Sequence, residues 1–165
     1  MSSACSWARD ATRDWIGVMT PTSHGYLPTQ SAETRSVATG LGLVSGSQTS
    51  TSIALACLET VVHVTADQCL PLRRWLVAID VPAELWQQRL SLEPIQLPGW
   101  DSTPAGRSSR RWGDRWLLGQ GSLIALVPSV IVPEECNALI NPAHPGASSL
   151  LPTVIRPWTY DSRLR

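Results

Sequence analysis

The sequence predicts an α+β (mixed α/β) domain, with a small mixed or antiparallel sheet and flanking helices. Three observations lead there. Stretches of helical and of strand character alternate without a regular βαβ repeat. Short β-rich runs cluster around residues 122–135 and again near the C-terminus, separated by Pro and Gly rather than by long helices. The chain has 165 residues, 43% of them hydrophobic and 16% charged. That suits one domain with a core large enough to need no disulfide staples.

Residues 1–48 are rich in Ser, Thr, Gly and Pro, and neither period 2 nor period 3.6 persists in them. They are expected to form a poorly defined, flexible N-terminal segment, and 49–165 the folded domain. "TGLGLVSGSQ" is Gly-rich but lacks the Gly-Lys-Ser/Thr ending of a phosphate-binding loop. Character changes at residue 49. "TSTSIALACLETVVHV" predicts a buried helix over about 52–64, capped by Ser50 or Ser52, with Leu55, Leu58 and Val62 as its apolar stripe.

"LRRWLVAIDVP", 72–82, reads as a strand stopped by Pro82, and "AELWQQRL" as a short helix. A loop rich in Pro and Gly follows. "RSSRRWGDRWLLGQG", 107–121, predicts a helix with Trp112 and Trp116 on one face and Gly119 or Gly121 at its C-cap. "SLIALVP" and "SVIVPEE" read as two β runs broken at Pro128, and "TVIRPWTYDSRL" as a final strand.

Thirteen basic and thirteen acidic residues give zero net charge, which argues against a general grip on nucleic acid or anionic lipid. Every basic residue is Arg. No apolar run approaches the ~20 residues of a spanning helix, and the first thirty residues lack a signal-peptide pattern. A cytoplasmic protein is the expectation. Cys5, Cys57, Cys69 and Cys136 form no CxxC pair, and Cys57 and Cys136 are expected as buried free thiols. The three histidines have no ligand spacing, so no metal site is expected.

Glu59 stands in the most apolar helix. Ser52, Ala56, Glu59 and His63 share a narrow stripe, which faces either water or a cleft; in a cleft, the carboxylate could bind ribose hydroxyls or steady an oxocarbenium ion. Ser129, directly after Pro128, is either a turn serine or a binding hydroxyl, since no Gly-x-Ser-x-Gly elbow marks a nucleophile. Asn137, Asn141 and His144 carry turn chemistry first, and a role in a site second.

Taken together, "TSTSIALACLETVVHV", "LPLRRWLVAIDVP", "WGDRWLLGQGSLIALVPSVIVPEECNALINPAHP" and "YDSRLR" resemble the RES domain over about 49–165. The resemblance implies a fold similar to that of ADP-ribosyltransferase toxins. It implies a bacterial type II toxin that depletes NAD⁺ by cleaving the nicotinamide–ribose bond, with phosphate or water as acceptor and no bound cofactor. The implied partner is an Xre-type helix-turn-helix antitoxin, with no direct contact to nucleic acid or membrane.

Matched to the family's motif, Glu59 is its glutamate and the catalytic candidate. Ser129 is its serine and Asn137 a frequent neighbour, both as substrate-binding candidates. The family's Gly-Arg-Trp stretch is absent. Arg35 is near its place, and Gln48 stands where a Tyr is expected. That departure supports an alternative, a catalytically inactive remnant that keeps only antitoxin binding. It also suggests that the segment before residue 49 is read in a shifted frame or from a wrong start.

Overall fold

The computed structural model describes residues 15–19, 37–39, 42–44, 47–62, 74–161 and 163–164. Along the chain run β1 (Trp15–Met19), β2 (Val37–Thr39), β3 (Gly42–Val44), β4 (Ser47–Ser50), α1 (Ile53–Val62) and β5 (Arg74–Asp80). Then come α2 (Ala83–Gln87), β6 (Leu90–Ser91), α3 (Arg107–Gly119), β7 (Ile124–Pro128), β8 (Cys136–Ile140) and β9 (Leu151–Trp158). Among the described residues, seven strands form one sheet in the order β6-β7-β8-β4-β1-β5-β9, and β2 and β3 pair separately. Only β6 and β7 run parallel; the other pairs in the sheet are antiparallel. The architecture is the α+β one that the pattern predicts. The expected boundary between residues 48 and 49 falls inside β4.

The centre of the sheet is covered on both faces, so β7 and β8 are buried at every position. Side chains alternate between the faces. Ile124, Leu126, Ala138 and Ile140 pack with Val77, Ile79 and the half-buried Trp86 on one side. Ala125, Val127 and Leu139 pack with Leu92, Leu97 and Trp116 on the other. Trp112 stacks on Trp116 with ring centroids 6.4 Å apart, as their spacing on α3 predicts. Such a pair adds about 0.5–1.5 kcal/mol beyond its buried area. The indole Nε1–H of Trp116 donates to Ser122 Oγ at 2.9 Å, which satisfies the polar edge of a buried ring.

The edge strand β9 carries Pro152 and Pro157, which only an edge position tolerates without losing ladder bonds.

Four expectations are corrected. Leu55 is 1% exposed, but Leu58 and Val62 are 36% and 53% exposed. The inward face of α1 is Leu55 and Ala56, one step round from the predicted stripe. Second, "SVIVPEE" is a turn rather than a strand. Ser129 Oγ accepts from the N–H groups of Ile131 and Val132, both at 3.1 Å, and Pro133 has no N–H to offer a ladder. The strand starts at Cys136 instead. Third, α3 ends without a glycine cap: Gln120 itself adopts the left-handed conformation, with φ 46°. Fourth, Cys136 is disulfide-bonded, not a free thiol, whereas Cys57 is free and half-buried.

Candidate active site

The pleat explains how the site assembles. Residues 125, 127 and 129 follow one face of β7 and its extension, because Ser129 N–H continues the ladder by donating to Glu135 C=O at 2.9 Å. In β8, Asn137 lies opposite Val127 and so belongs to the same face. In β4, Ser50 lies opposite Asn137. Ser129, Asn137 and Ser50 therefore gather on one side of the sheet. The chain leaves β4 through Thr51 and Ser52 directly into α1. Ser52 Oγ accepts from Leu55 N–H at 3.1 Å and caps the helix. Two turns further on, α1 delivers Glu59 to the same place.

There, Glu59 Oε1 accepts two hydrogen bonds: from Ser129 Oγ at 2.8 Å and from Asn137 Nδ2 at 2.5 Å. The direction of each bond is determined. Ser129 Oγ already accepts from two backbone N–H groups, so its proton is available only for the carboxylate. Asn137 Oδ1 accepts from Ser50 Oγ at 2.7 Å, which turns the amide nitrogen toward Glu59. Ser50, Ser129 and Asn137 are buried, at 2%, 0% and 3% exposure, and Glu59 is half-buried. Glu59 Oε2 has no partner among the described residues. The result is a fixed carboxylate with one oxygen saturated and the other open. Such a group can accept a pair of sugar hydroxyl protons, or face a cationic centre without reorganising.

Of the five candidates from the sequence, the structure brings together Glu59, Ser129 and Asn137. Gln48 occupies β4 opposite Leu139, and its side chain lies outside the description, as does Arg35 altogether. The choice left open for Glu59, water or cleft, resolves as a stripe turned to the sheet's polar residues. Asn141 and His144 keep their turn roles. Asn141 Nδ2 donates to Leu117 C=O at 2.9 Å while its Oδ1 accepts from Ala143 N–H at 3.0 Å, and His144 Nδ1 accepts from Gly146 N–H at 3.0 Å.

Sequence reasoning missed Ser50 and Glu135. In the sequence Ser50 reads as a helix cap, yet its cross-strand partner is Asn137. Glu135 Oε2 accepts from Ser52 Oγ at 2.6 Å. Nothing in a lone "PEE" signals that contact; only strand register does.

A model of the RES domain matches residues 7–162, nearly the whole chain and including the segment upstream of residue 49. The chain belongs to the RES-domain family. Among curated relatives, it is 52% identical over 114 residues to the Prs ADP-ribosylating toxin of Sphingobium sp. (strain YBL2), covering 68% of this chain and 70% of that one. It is 36% identical over 110 residues to the Toxin Res of Pseudomonas putida, covering 66% and 72%. To the Toxin Res of Yersinia enterocolitica it is 35% identical over 117 residues, covering 69% and 74%.

Proposed function

We propose that this RES-domain protein is the toxin of a bacterial type II toxin–antitoxin module, and that it depletes NAD⁺ by breaking the nicotinamide–ribose bond. The observation that carries the reading is the Glu59 carboxylate, held on Oε1 by Ser129 and Asn137 with Oε2 open. In the reaction, the C1′–N bond breaks and nicotinamide leaves with the electron pair. The ribosyl ring passes through an oxocarbenium-like state, and an oxygen of phosphate or water attacks C1′. Glu59 stabilises the cationic ring and holds ribose hydroxyls through its open Oε2, while Ser129 and Asn137 hold the carboxylate in place from the buried side. NAD⁺ is substrate here, and the chemistry needs no resident cofactor or metal.

A partner follows from the same reading: an Xre-type helix-turn-helix antitoxin, met in the cytoplasm, with no direct contact of the toxin to nucleic acid or membrane. Among the described residues, no helix is long and apolar enough to cross a membrane.

A second reading is favoured by one finding. The relative 52% identical to this chain is named Prs ADP-ribosylating toxin. Bond breaking is common to both readings; only the acceptor changes, from phosphate or water to a protein side chain. The inactive-remnant alternative rests on the absent Gly-Arg-Trp stretch, and turnover by the purified chain decides it.

The test is to incubate the purified chain with NAD⁺, with and without phosphate, and to follow free nicotinamide and the ADP-ribosyl product. Wild-type turnover that Glu59→Gln abolishes supports the reading. Turnover only when a protein acceptor is present selects the second. No nicotinamide release under any condition, with antitoxin binding retained, leaves the remnant.

A further inference from the structure

We infer that Glu135 is a positioning residue for Glu59, coupling the helix that carries the carboxylate to the turn that carries Ser129. This rests on the NAD⁺-cleaving reading for its catalytic consequence, but its geometry stands independently.

Glu59 and Ser129 belong to different elements, so their bond is only as fixed as the relative placement of α1 and the β7–β8 turn. Residue 135 is attached to both. Its backbone C=O accepts from Ser129 N–H at 2.9 Å, and its N–H donates to Val132 C=O at 2.9 Å, closing the turn. Its carboxylate Oε2 accepts from Ser52 Oγ at 2.6 Å, and that same oxygen of Ser52 caps α1 at Leu55 N–H. One rung later, Thr51 N–H donates to Cys136 C=O at 3.1 Å.

A closed ring results: Glu59, α1, Ser52, Glu135, Ser129 and back to Glu59. Within it, the Ser52–Glu135 contact is a side-chain link at the helix start, on a half-buried pair. It is short and charge-assisted, which makes it a stronger restraint than a neutral hydroxyl bond. Loss of that link leaves the start of α1 held to β8 only through the Thr51–Cys136 rung and loosens the helix against the turn. A shift on the order of 1 Å is enough to spoil a carboxylate placed for a transition state. Its effect should therefore fall on kcat more than on KM.

The experiment uses the full chain with NAD⁺ and two readouts, nicotinamide release and the side-chain amide NMR signal of Asn137. That signal reports directly on the Asn137–Glu59 bond and needs no turnover. Glu135→Ala should lower kcat about tenfold with KM little changed, and move the Asn137 signal toward its position in Glu59→Gln. Glu135→Gln keeps an oxygen acceptor for Ser52 and should restore most of both. Ser52→Ala should reproduce the loss, and the double variant should lose no more than either single one, as expected of one shared contact.

A Glu135→Ala chain that is less stable but keeps wild-type kcat and an unmoved Asn137 signal overturns the inference. So does a Glu135→Gln variant as impaired as Glu135→Ala. If the wild type does not cleave NAD⁺ but the signal moves in Glu135→Ala and returns in Glu135→Gln, the positioning stands and the NAD⁺ reading falls.

Discussion

The hydroxyl of Ser129 donates to the carboxylate of Glu59 across 2.8 Å of space and 70 residues of sequence. The contact is not an accident of two polar groups meeting at a surface. Ser129 has no exposure, and its oxygen is committed to two backbone N–H groups behind it. Only its proton remains, and among the described residues it goes to Glu59 Oε1. The same serine thus folds the β7–β8 turn and orients the acid.

Ser129→Ala tests both duties at once. Two turn N–H groups lose their acceptor, which costs about 1–3 kcal/mol when such groups stay poorly hydrated. Chemical denaturation should register that loss. Nicotinamide release by the folded variant should fall as well, because Glu59 keeps only Asn137. A variant as stable as wild type would mean that the hydroxyl does not hold the turn.

Asn137→Asp changes almost no volume, yet replaces a donor to Glu59 with a second carboxylate at hydrogen-bonding distance. Like charges that close are unfavourable in a mostly buried setting. Ser50 Oγ can still donate, so the damage is specific to the Glu59 side. The variant should be less stable than wild type at neutral pH. Protonating the introduced carboxylate removes the repulsion, so the deficit should shrink as pH falls. Denaturation midpoints of both proteins measured from pH 4 to pH 8 check the sign; a deficit independent of pH would remove charge as its cause.

Cys57, on α1 two residues before Glu59, gives an alkaline prediction. Burial raises its thiol pKa above the ordinary 9.0. The folded chain therefore favours the protonated thiol. That preference is fully present below the ordinary thiol pKa and is lost as pH rises through the raised one. Stability of wild type relative to Cys57→Ala should decline above about pH 9. Iodoacetamide should also label Cys57 more slowly in the folded chain than in the unfolded one at pH 8 to 9, read by peptide mass analysis.

What the sequence made legible was whatever a local pattern encodes. The helix over α1 with its Ser52 cap, the α3 helix with its paired tryptophans, and Pro82 as the stop of β5 all follow from spacing and from the chemistry of single residues. The polar stripe through Ala56 and Glu59 was legible too, although its direction was not. Direction depends on what the helix lies against, and that is set by strand order. Ser50 illustrates the limit: its function comes from a register that places it opposite Asn137, and register is a long-range property. "SVIVPEE" failed for the opposite reason. Its β-branched residues argue for a strand, and one hydroxyl with one proline outweighs them.

The end of α3 shows local chemistry overruled in the same way, and yields a stability prediction. Glycines at 119 and 121 flank the helix end, yet Gln120 between them takes the left-handed conformation at φ 46°. For a side-chain-bearing residue, that conformation costs roughly 1–2 kcal/mol. Glycine escapes most of that strain but loses more backbone freedom on folding, about 0.5–1 kcal/mol. Gln120 is exposed, and no hydrogen bond of its side chain is found among the described residues, so little else is removed with it. Gln120→Gly should therefore stabilise the domain by about 0.5–1 kcal/mol, visible as a higher denaturation midpoint with an unchanged slope. The position lies well outside the Glu59 network, so NAD⁺ turnover should not change. Gln120→Val, β-branched and hardest to place at positive φ, should shift the midpoint the other way. If Gly and Val move it alike, the strain is not located at residue 120.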